Sequence, residues 1–286
     1  MKASFSGLRT RVLSAMAALT AIVAIGYYGG PMGIAGIGVL VLSIGSLEFA
    51  QIGFVVEEKL TPILRSVFVC CSLIFVLATT FLDPLPCVLG LALTLVMSLS
   101  FILWTLEKRS SPEMIRRISA TFVLGLIYIA FLPSFALKLL FLPKGIEWFI
   151  FLLLVVFAGD TFAYFTGLFF GKKPLMPSIS PKKTLAGAWG GLLGSGLGGG
   201  VAGFYLNLGA PLWVLVIGAT ATGFFAQTGD LFESLLKRAS GNKDSGNIMP
   251  GHGGILDRLD GIYFASPLVF SLAHWLIEKH GDIVNF

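Results

Sequence analysis

The stretch FIFLLLVVFAGDTFAYFTGLFFG, residues 149–171, contains one charged residue in 23 positions. An α-helix needs about 20 predominantly apolar residues to cross the hydrocarbon core of a bilayer, so this stretch predicts a transmembrane helix. Similar apolar runs occur along most of the chain, which is 56% hydrophobic and 12% charged, whereas soluble domains are about 25% charged. The sequence therefore predicts an all-α, polytopic integral membrane protein.

Hydropathy divides the chain into nine predicted transmembrane helices. They span residues 10–28, 32–55, 62–82, 85–106, 118–137, 146–170, 187–207, 211–235 and 261–278. With the N-terminus in the cytoplasm, 17 of the 20 Lys and Arg residues fall in cytoplasmic segments, as the positive-inside rule requires. We therefore predict a cytoplasmic N-terminus, a location in a bacterial-type inner or plasma membrane, and a functional site that faces the cytoplasm.

Composition separates two predicted regions. Residues 1–145 hold five spans in which Glu48 is the one clearly internal charge, and we interpret them as a scaffold or as lipid-facing helices. Residues 146–286 hold the other four spans, a lysine-rich loop and a charged segment, and we interpret them as the catalytic region. Glycines at small-xxx-small spacing in the span 187–207 predict close helix packing; a glycine-lined surface that admits a ligand is the alternative.

The charged segment, Asp230 to Asp260, carries nine charged residues in 31 positions. Asp230, Glu233, Ser234 and Lys237 are spaced to lie on one face of a helix. A carboxylate within an apolar helix must be paired, protonated or bound to a cation, so we predict a functional role for Asp230. Glu233 and Lys237 also fit an ordinary solvated ion pair one helical turn apart.

A second pair of carboxylates, Asp257 and Asp260, lies at the predicted start of the last span. Carboxylates at this position can cap backbone amides. For Asp260, capping and metal binding are equally expected. Asp257 can join Asp230 across two helices to hold a divalent cation through oxygen ligands. Glycines between the pairs, including Gly253 and Gly254, allow backbone amides to approach an anion.

Further candidate residues flank these carboxylates. Asp160, near the inner end of its span, is either a hydrogen-bonded structural residue or part of the site. Lys182 and Lys183 follow in a loop suited to phosphate or anionic lipid headgroups, and His252 is either a phosphate contact or an exposed loop residue. Metal-binding carboxylates beside cations point to phosphoryl or nucleotidyl transfer. No basic stretch interleaved with aromatics occurs, so nucleic acid is not a predicted partner.

At these residues the chain resembles the phosphatidate cytidylyltransferases, also called CDP-diacylglycerol synthases. The family signature runs Ser, any residue, apolar, Lys-Arg, four residues, Lys-Asp, a short spacer, His-Gly-Gly, apolar, any residue, Asp-Arg, apolar, Asp. The chain matches this signature at Ser234, Leu236, Lys237, Arg238, Lys243, Asp244, His252, Gly253, Gly254, Ile255, Asp257, Arg258, Leu259 and Asp260. The segments 160–171 and 180–184 are similar to upstream family segments, whereas Ala186 stands where the family usually has Glu.

The resemblance implies that CTP and phosphatidic acid react to give CDP-diacylglycerol and pyrophosphate. It implies magnesium as the cofactor, allows a monovalent cation beside it, and is compatible with a homodimer in the membrane. In this scheme the lipid phosphate attacks the α-phosphorus of CTP, and metal held by Asp230 and Asp257 bridges the phosphates. The predicted catalytic residues are Asp230, Lys237, Arg238, Asp257 and Arg258; the predicted ligand-binding residues are Lys182, Lys183, Ser234, Lys243, Asp244, His252, Gly253 and Gly254; the predicted metal ligands are Asp230, Asp257, Asp160 and Asp260.

Two other functions compete with this one. A related enzyme that uses CTP on a polyprenol, isoprenoid or archaeal-type lipid shares elements of the signature. A cation-coupled transporter would line a midplane pathway with Asp160, Asp230 and Glu233. Against transport, these acidic residues cluster towards one face of the membrane, beside many glycines and lysines.

Overall fold

The structure, a computed structural model, describes residues 2–54, 61–82, 84–241, 245–246 and 254–280. The helices are α1 (Lys2–Gly53), α2 (Thr61–Phe81), α3 (Pro84–Leu106), α4 (Pro112–Gly125), α5 (Leu132–Leu139), α6 (Gly145–Phe170), α7 (Leu185–Leu206), α8 (Leu212–Ala239) and α9 (Leu256–His280). A π-helical segment, Leu126–Phe131, joins α4 to α5, and an antiparallel hairpin of β1 (Pro174–Met176) and β2 (Ser180–Thr184) joins α6 to α7. The all-α prediction is confirmed, with this short hairpin as an addition.

Six helical segments within the described residues are long and apolar enough to cross a membrane. They are Ala24–Gly53, Thr61–Phe81, Pro86–Leu106, Pro112–Leu139, Gly145–Phe170 and Leu212–Ala239, and each coincides with a predicted span. α7 and α9 lie where two further spans were expected, but the glycines of α7 and the polar residues of α9 lower their hydropathy. Side chains are described only from residue 24 of α1 onward, so most of the first expected span, residues 10–28, is not covered. The count of nine spans and the orientation of the N-terminus stay predictions.

The predicted boundary between the first two spans corresponds to a break within α1. Gly30 has φ 55° and ψ −148°, and Pro31 follows it. The positive φ belongs to a backbone region that glycine enters at little cost, and proline has no amide to donate to the preceding turn. The local sequence therefore explains why the helix changes direction here.

Helix α7 packs closely against α6, which confirms the close-packing interpretation of its glycines. A Cβ atom added to Gly194 would lie 2.4 Å from Phe162 Cβ and 2.9 Å from the carbonyl oxygen of Ala158. Two hydrogen bonds cross the same layers: Ser195 donates to the Val155 carbonyl at 3.1 Å, and the Gln227 amide of α8 donates to the Ala188 carbonyl at 3.1 Å. Small residues thus bring α6, α7 and α8 together around the site.

The π-helical segment supports α8 and α9 from the other side. Its Tyr128 is buried, and the tyrosine ring lies 5.1 Å from the ring of Phe232 on α8 and 5.5 Å from that of Tyr263 on α9. Edge-to-face aromatic pairs of this kind add to the stabilisation that burial provides. The N-terminal helices therefore pack directly behind the charged residues of the C-terminal half.

Candidate active site

A cavity of about 610 Å³ lies between α6, the hairpin, α7 and α8. Its wall includes Asp160 of α6, Lys182 and Lys183 of β2, and Gln227 and Asp230 of α8. The lysines were expected on a loop, but they form strand β2, which pairs with β1 and holds them over the carboxylates. Asp160, Asp230 and the two lysines therefore line the same cavity.

The end of β2 also begins α7. Thr184 has extended backbone angles, and its hydroxyl accepts a hydrogen bond from the Gly187 amide at 3.1 Å. This N-cap satisfies one of the amides that a helix leaves unpaired at its first turn. Ala186, which replaces the usual family Glu, is the second residue of α7, so the helix keeps its cap without a carboxylate there.

Three carboxylates meet where α8 crosses α9. Asp230, Glu233 and Asp260 each place a carboxylate oxygen within 4.8 Å of the other two. The crossing is close because Gly229 has no side chain: a Cβ atom there would lie 2.4 Å from the Asp260 carbonyl oxygen. We refer to Asp230, Glu233 and Asp260 as the acidic cluster.

The acidic cluster fits a hard divalent cation. Its donors are carboxylate oxygens, which Mg²⁺ prefers. Glu233 is 1% exposed, and its Oε1 atom has no hydrogen-bond partner among the described residues. A buried polar atom without a partner is costly, and a bound cation would satisfy it. From the sequence, Glu233 was interpreted as the partner of Lys237 or, in the transport alternative, as part of a cation pathway, and it was not among the predicted metal ligands.

A lysine from the hairpin meets the acidic cluster. Lys183 forms an ion pair with Asp230, and the two side chains are 28% and 40% exposed. Both residues line the cavity, so a ligand there has an ammonium and a carboxylate within reach. A positive and a negative group on one wall suit a ligand that combines phosphates with a cation.

Lys237 lies between two carboxylates, and we refer to Glu233, Lys237 and Asp257 as the ion triad. The Lys237 ammonium is 2.6 Å from Glu233 Oε2 and 2.5 Å from Asp257 Oδ1. The expected pair of Glu233 and Lys237 is confirmed, but it is buried and not solvated, since the Glu233 side chain is 2% exposed. Glu233 therefore belongs to both the acidic cluster and the ion triad.

Asp257 holds the start of α9 in place. Its Oδ2 atom accepts hydrogen bonds from the Gly254 amide at 2.9 Å, the Ser245 hydroxyl at 2.9 Å and the Ser245 amide at 3.1 Å. Burial alone would raise the pKa of Asp257, but its hydrogen bonds from Lys237 and from the amides of Gly254 and Ser245 favour the ionised carboxylate, and the pKa is lowered. Both oxygens have donors, and the structure does not bring Asp257 into the acidic cluster with Asp230. Its role as a metal ligand stays a prediction.

The remaining predicted residues divide into two groups. Among those that the structure describes, Arg238 and Arg258 are exposed, Ser234 is partly buried on α8, and Gly254 is buried. The others, Lys243, Asp244, His252 and Gly253, lie outside the described residues.

Sequence reasoning also missed the role of Glu48 in α1. This side chain is 1% exposed, and it accepts hydrogen bonds from the amides of Ile255 at 3.0 Å and Leu256 at 2.9 Å. Its position as the one internal charge of the first five spans was visible in the sequence, and such a charge must be paired. A pattern along the chain did not reveal the partner.

Fold and site together define an integral membrane protein in which a basic hairpin, Asp160, and Asp230 of the acidic cluster line one cavity. The sequence model of the Cytidylyltransferase family matches residues 9–276. The chain belongs to the Cytidylyltransferase family, and the resemblance seen in its signature is confirmed.

The chain is similar to several curated phosphatidate cytidylyltransferases. It is 44% identical over 126 residues to that of Staphylococcus epidermidis, a match covering 44% of this chain and 48% of the relative. It is 36% identical over 182 residues to that of Thermotoga maritima, covering 61% of this chain and 66% of the relative. The chain thus spans about half the length of the staphylococcal relative and somewhat more of the Thermotoga protein.

Proposed function

We propose that the protein transfers a cytidylyl group from CTP to phosphatidic acid and produces CDP-diacylglycerol and pyrophosphate. The observation that carries this proposal is the ion pair of Lys183 and Asp230 on the wall of one cavity. It joins the basic hairpin to the acidic cluster, as binding of phosphates together with a cation requires. Family membership and the names of the relatives support the same activity.

The reaction forms one phosphorus–oxygen bond and breaks another. An oxygen of the lipid phosphate attacks the α-phosphorus of CTP, and the bond from that phosphorus to the bridging oxygen of the β-phosphate breaks. Pyrophosphate leaves with the bonding electrons. The lipid phosphate is ionised at pH 7, so the protein needs no general base. Its contribution is to position the reactants and neutralise their charge.

Positive side chains of the hairpin are suited to the phosphates. Lys182 and Lys183 project from β2 at the cavity wall, where each ammonium can donate to phosphate oxygens. Arg238 and Arg258 are exposed at the ends of α8 and α9 and are further phosphate contacts in this proposal. Lys237 acts differently, since it balances two carboxylates within the ion triad.

Magnesium in this proposal is held by Asp230, Glu233 and Asp260, with Asp160 and Asp257 as further predicted ligands. The ion supplies charge neutralisation at the phosphates when it is bound. The site faces the cytoplasm, where CTP is present, in the orientation that the distribution of Lys and Arg favours. The lipid reaches the cavity from the surrounding bilayer.

The test is transfer of label from α-labelled CTP to phosphatidic acid by purified protein with Mg²⁺. We expect labelled CDP-diacylglycerol and free pyrophosphate. Asp260→Asn and Asp230→Asn should each lower the rate about 100-fold or more, because loss of a ligand removes several kcal/mol of charge stabilisation. Glu107→Gln, at an exposed position outside the site, is the matched control and should be unaffected.

Three outcomes would contradict the proposal. Transfer of label to a polyprenyl phosphate and not to phosphatidic acid would assign another lipid. Absence of any transfer, together with cation uptake into proteoliposomes, would favour transport. Full activity in Asp260→Asn and Asp230→Asn would remove the acidic cluster from the reaction.

A further inference from the structure

Glu48, on α1, contacts residues at and before the start of α9, within the stretch that carries the family signature. Its carboxylate accepts hydrogen bonds from the Ile255 amide at 3.0 Å and the Leu256 amide at 2.9 Å, and the Ser245 hydroxyl oxygen lies 3.4 Å from it. Glu48 lies about 200 positions before these three residues in the chain. A charged group that is 1% exposed is stable only when such donors satisfy it.

The Leu256 amide is the first amide of α9, and the Ile255 amide lies directly before it. The first amides of a helix have no partner within the helix, and a negative charge is favoured at this end of the helix dipole. A side chain close in sequence usually provides the cap, whereas here the carboxylate comes from α1. Glu48 therefore caps two amides at the start of α9 from a different helix.

The backbone around the carboxylate is shaped to admit it. A Cβ atom added to Gly246 would lie 2.6 Å from Glu48 Oε1, and one added to Gly254 would lie 2.5 Å from Oε2. Side chains at these two positions would overlap the carboxylate. Because Gly246 and Gly254 have no side chains, the backbone can approach the Glu48 carboxylate closely at both of its oxygens.

A continuous set of polar contacts leads from Glu48 to the acidic cluster. The Ser245 hydroxyl contacts both Glu48 and Asp257, the latter at 2.9 Å. Asp257 continues through Lys237 to Glu233, at 2.5 and 2.6 Å. The same helix start carries Asp260 of the acidic cluster about one turn later.

We propose that Glu48 is a positioning residue for the reaction. It fixes the start of α9 and the Ser245–Gly246 segment, so that Asp257 and Asp260 keep their places relative to the carboxylates of α8. It does not touch the reacting atoms. The kinetic part of this inference rests on the proposed function, whereas the structural and metal-binding parts do not.

The test compares Glu48→Gln and Glu48→Asp with Ser46→Ala. Glutamine has the size of glutamate, but it lacks the charge and turns one amide nitrogen towards backbone donors. Aspartate keeps the charge on a shorter side chain and should be intermediate in every measurement. Ser46 is equally buried in α1, but its hydroxyl bonds within the helix, to the Leu42 carbonyl at 2.8 Å. Ser46→Ala should match the wild type.

Hydrogen exchange measures the anchoring directly. In Glu48→Gln the amides of Ile255 and Leu256 should exchange about 10-fold faster or more, because each loses a hydrogen bond to a charged acceptor. Amides in α2 and α6 should keep their exchange rates. Unchanged exchange at Ile255 and Leu256 would overturn the proposal, as would equal acceleration in every helix, which indicates a general loss of stability.

Metal binding and kinetics measure the consequence for the site. Loss of a residue that hydrogen-bonds a metal ligand typically costs 10- to 100-fold in metal affinity or activity. Glu48 acts on the ligands indirectly, through the start of α9, so we expect the lower end of that range. We expect Glu48→Gln to bind Mn²⁺, followed by electron paramagnetic resonance, about 10-fold more weakly. The kcat for CDP-diacylglycerol formation should fall by a similar factor, with a smaller change in the KM for CTP.

The outcomes separate the two proposals. Wild-type affinity for Mn²⁺ in Glu48→Gln would refute the positioning role even if exchange at Ile255 increased. If the wild type itself forms no CDP-diacylglycerol, the proposed function fails. The exchange and Mn²⁺ measurements then still decide the role of Glu48.

Discussion

Replacement of Lys237 by methionine tests whether the ion triad stabilises the crossing of α8 and α9. Methionine has a similar length and apolar surface, so the main change is loss of the ammonium. Glu233 and Asp257, which are 2.6 and 2.5 Å from that ammonium, would then lie close together without a counter-ion. Two neighbouring carboxylates in a buried position repel each other and are poorly solvated.

The magnitude follows from how little water reaches the triad. The side chains of Lys237, Glu233 and Asp257 are 16%, 2% and 13% exposed, so solvent screens the charges weakly. Removal of one partner from a buried ion pair typically costs about 3–5 kcal/mol. A chain of this size loses about 2–4 °C in melting temperature for each kcal/mol, so Lys237→Met should melt at least about 6 °C lower.

The assay is thermal unfolding in detergent, followed by intrinsic tryptophan fluorescence. A double-mutant cycle with Asp257→Asn should show that the double variant is more stable than the sum of the single effects predicts, with a coupling of about 1–3 kcal/mol. Lys279→Met is the matched control, because it removes a lysine ammonium that is exposed to solvent. The Lys279 ammonium lies 4.9 Å from the centre of the Trp275 ring. A melting temperature for Lys237→Met equal to that of the control, or strictly additive effects in the cycle, would refute the reasoning.

Three further changes test the packing, the cap and the cavity. Gly194→Ala should lower stability by about 1–3 kcal/mol in the same melting assay, because the added Cβ would overlap Phe162 and the α6 backbone. Gly36→Ala is the control: the space around Gly36 is open, so this change should be neutral or slightly stabilising. Thr184→Val should cost about 1 kcal/mol by loss of the α7 cap, and unchanged melting would show that the cap is dispensable. Lys183→Met should raise the KM for CTP about 10-fold, as loss of a charge-assisted bond to phosphate implies, and an unchanged KM in the label-transfer assay would place the nucleotide elsewhere.

Composition was sufficient to predict most of the helices, because crossing a bilayer requires long apolar segments. The span expected at residues 146–170 is α6, Gly145–Phe170, and the glycine-rich span at 187–207 is α7, Leu185–Leu206. The break at Gly30 was also visible, since Gly-Gly-Pro at residues 29–31 interrupts a helical pattern. These features depend on local sequence alone.

The hairpin was not predicted, although its residues were singled out. The hairpin has no long apolar run, and Ser180–Thr184 is too short to show an alternating pattern. Pairing with Pro174–Met176 gives β2 its conformation. The strand conformation of Lys182 and Lys183 therefore depends on pairing with β1, which a reading of residues 180–184 alone does not show.

For the acidic cluster, the sequence predicted the residues of α8 but not the residue of α9 that joins them. Spacing placed Asp230 and Glu233 on one face of α8, and the structure confirms that they lie together. Spacing did not show which carboxylate of α9 meets them, because Asp257 and Asp260 are both close to the start of that helix. The choice depends on how α9 is rotated against α8, and the absence of a side chain at Gly229 sets the closeness of that contact.

Glu48 shows why the rest of the site required the structure. Its position in an apolar segment was visible in the sequence, and an unpaired charge there is too costly to retain. The partners are the backbone amides of Ile255 and Leu256, and an amide gives no signal in a sequence. Glu48 was assigned to the scaffold by its position in the chain, yet it contacts the backbone directly before Asp257 and Asp260. The start of α9 is therefore bonded both by its own Asp257 and by a residue of α1.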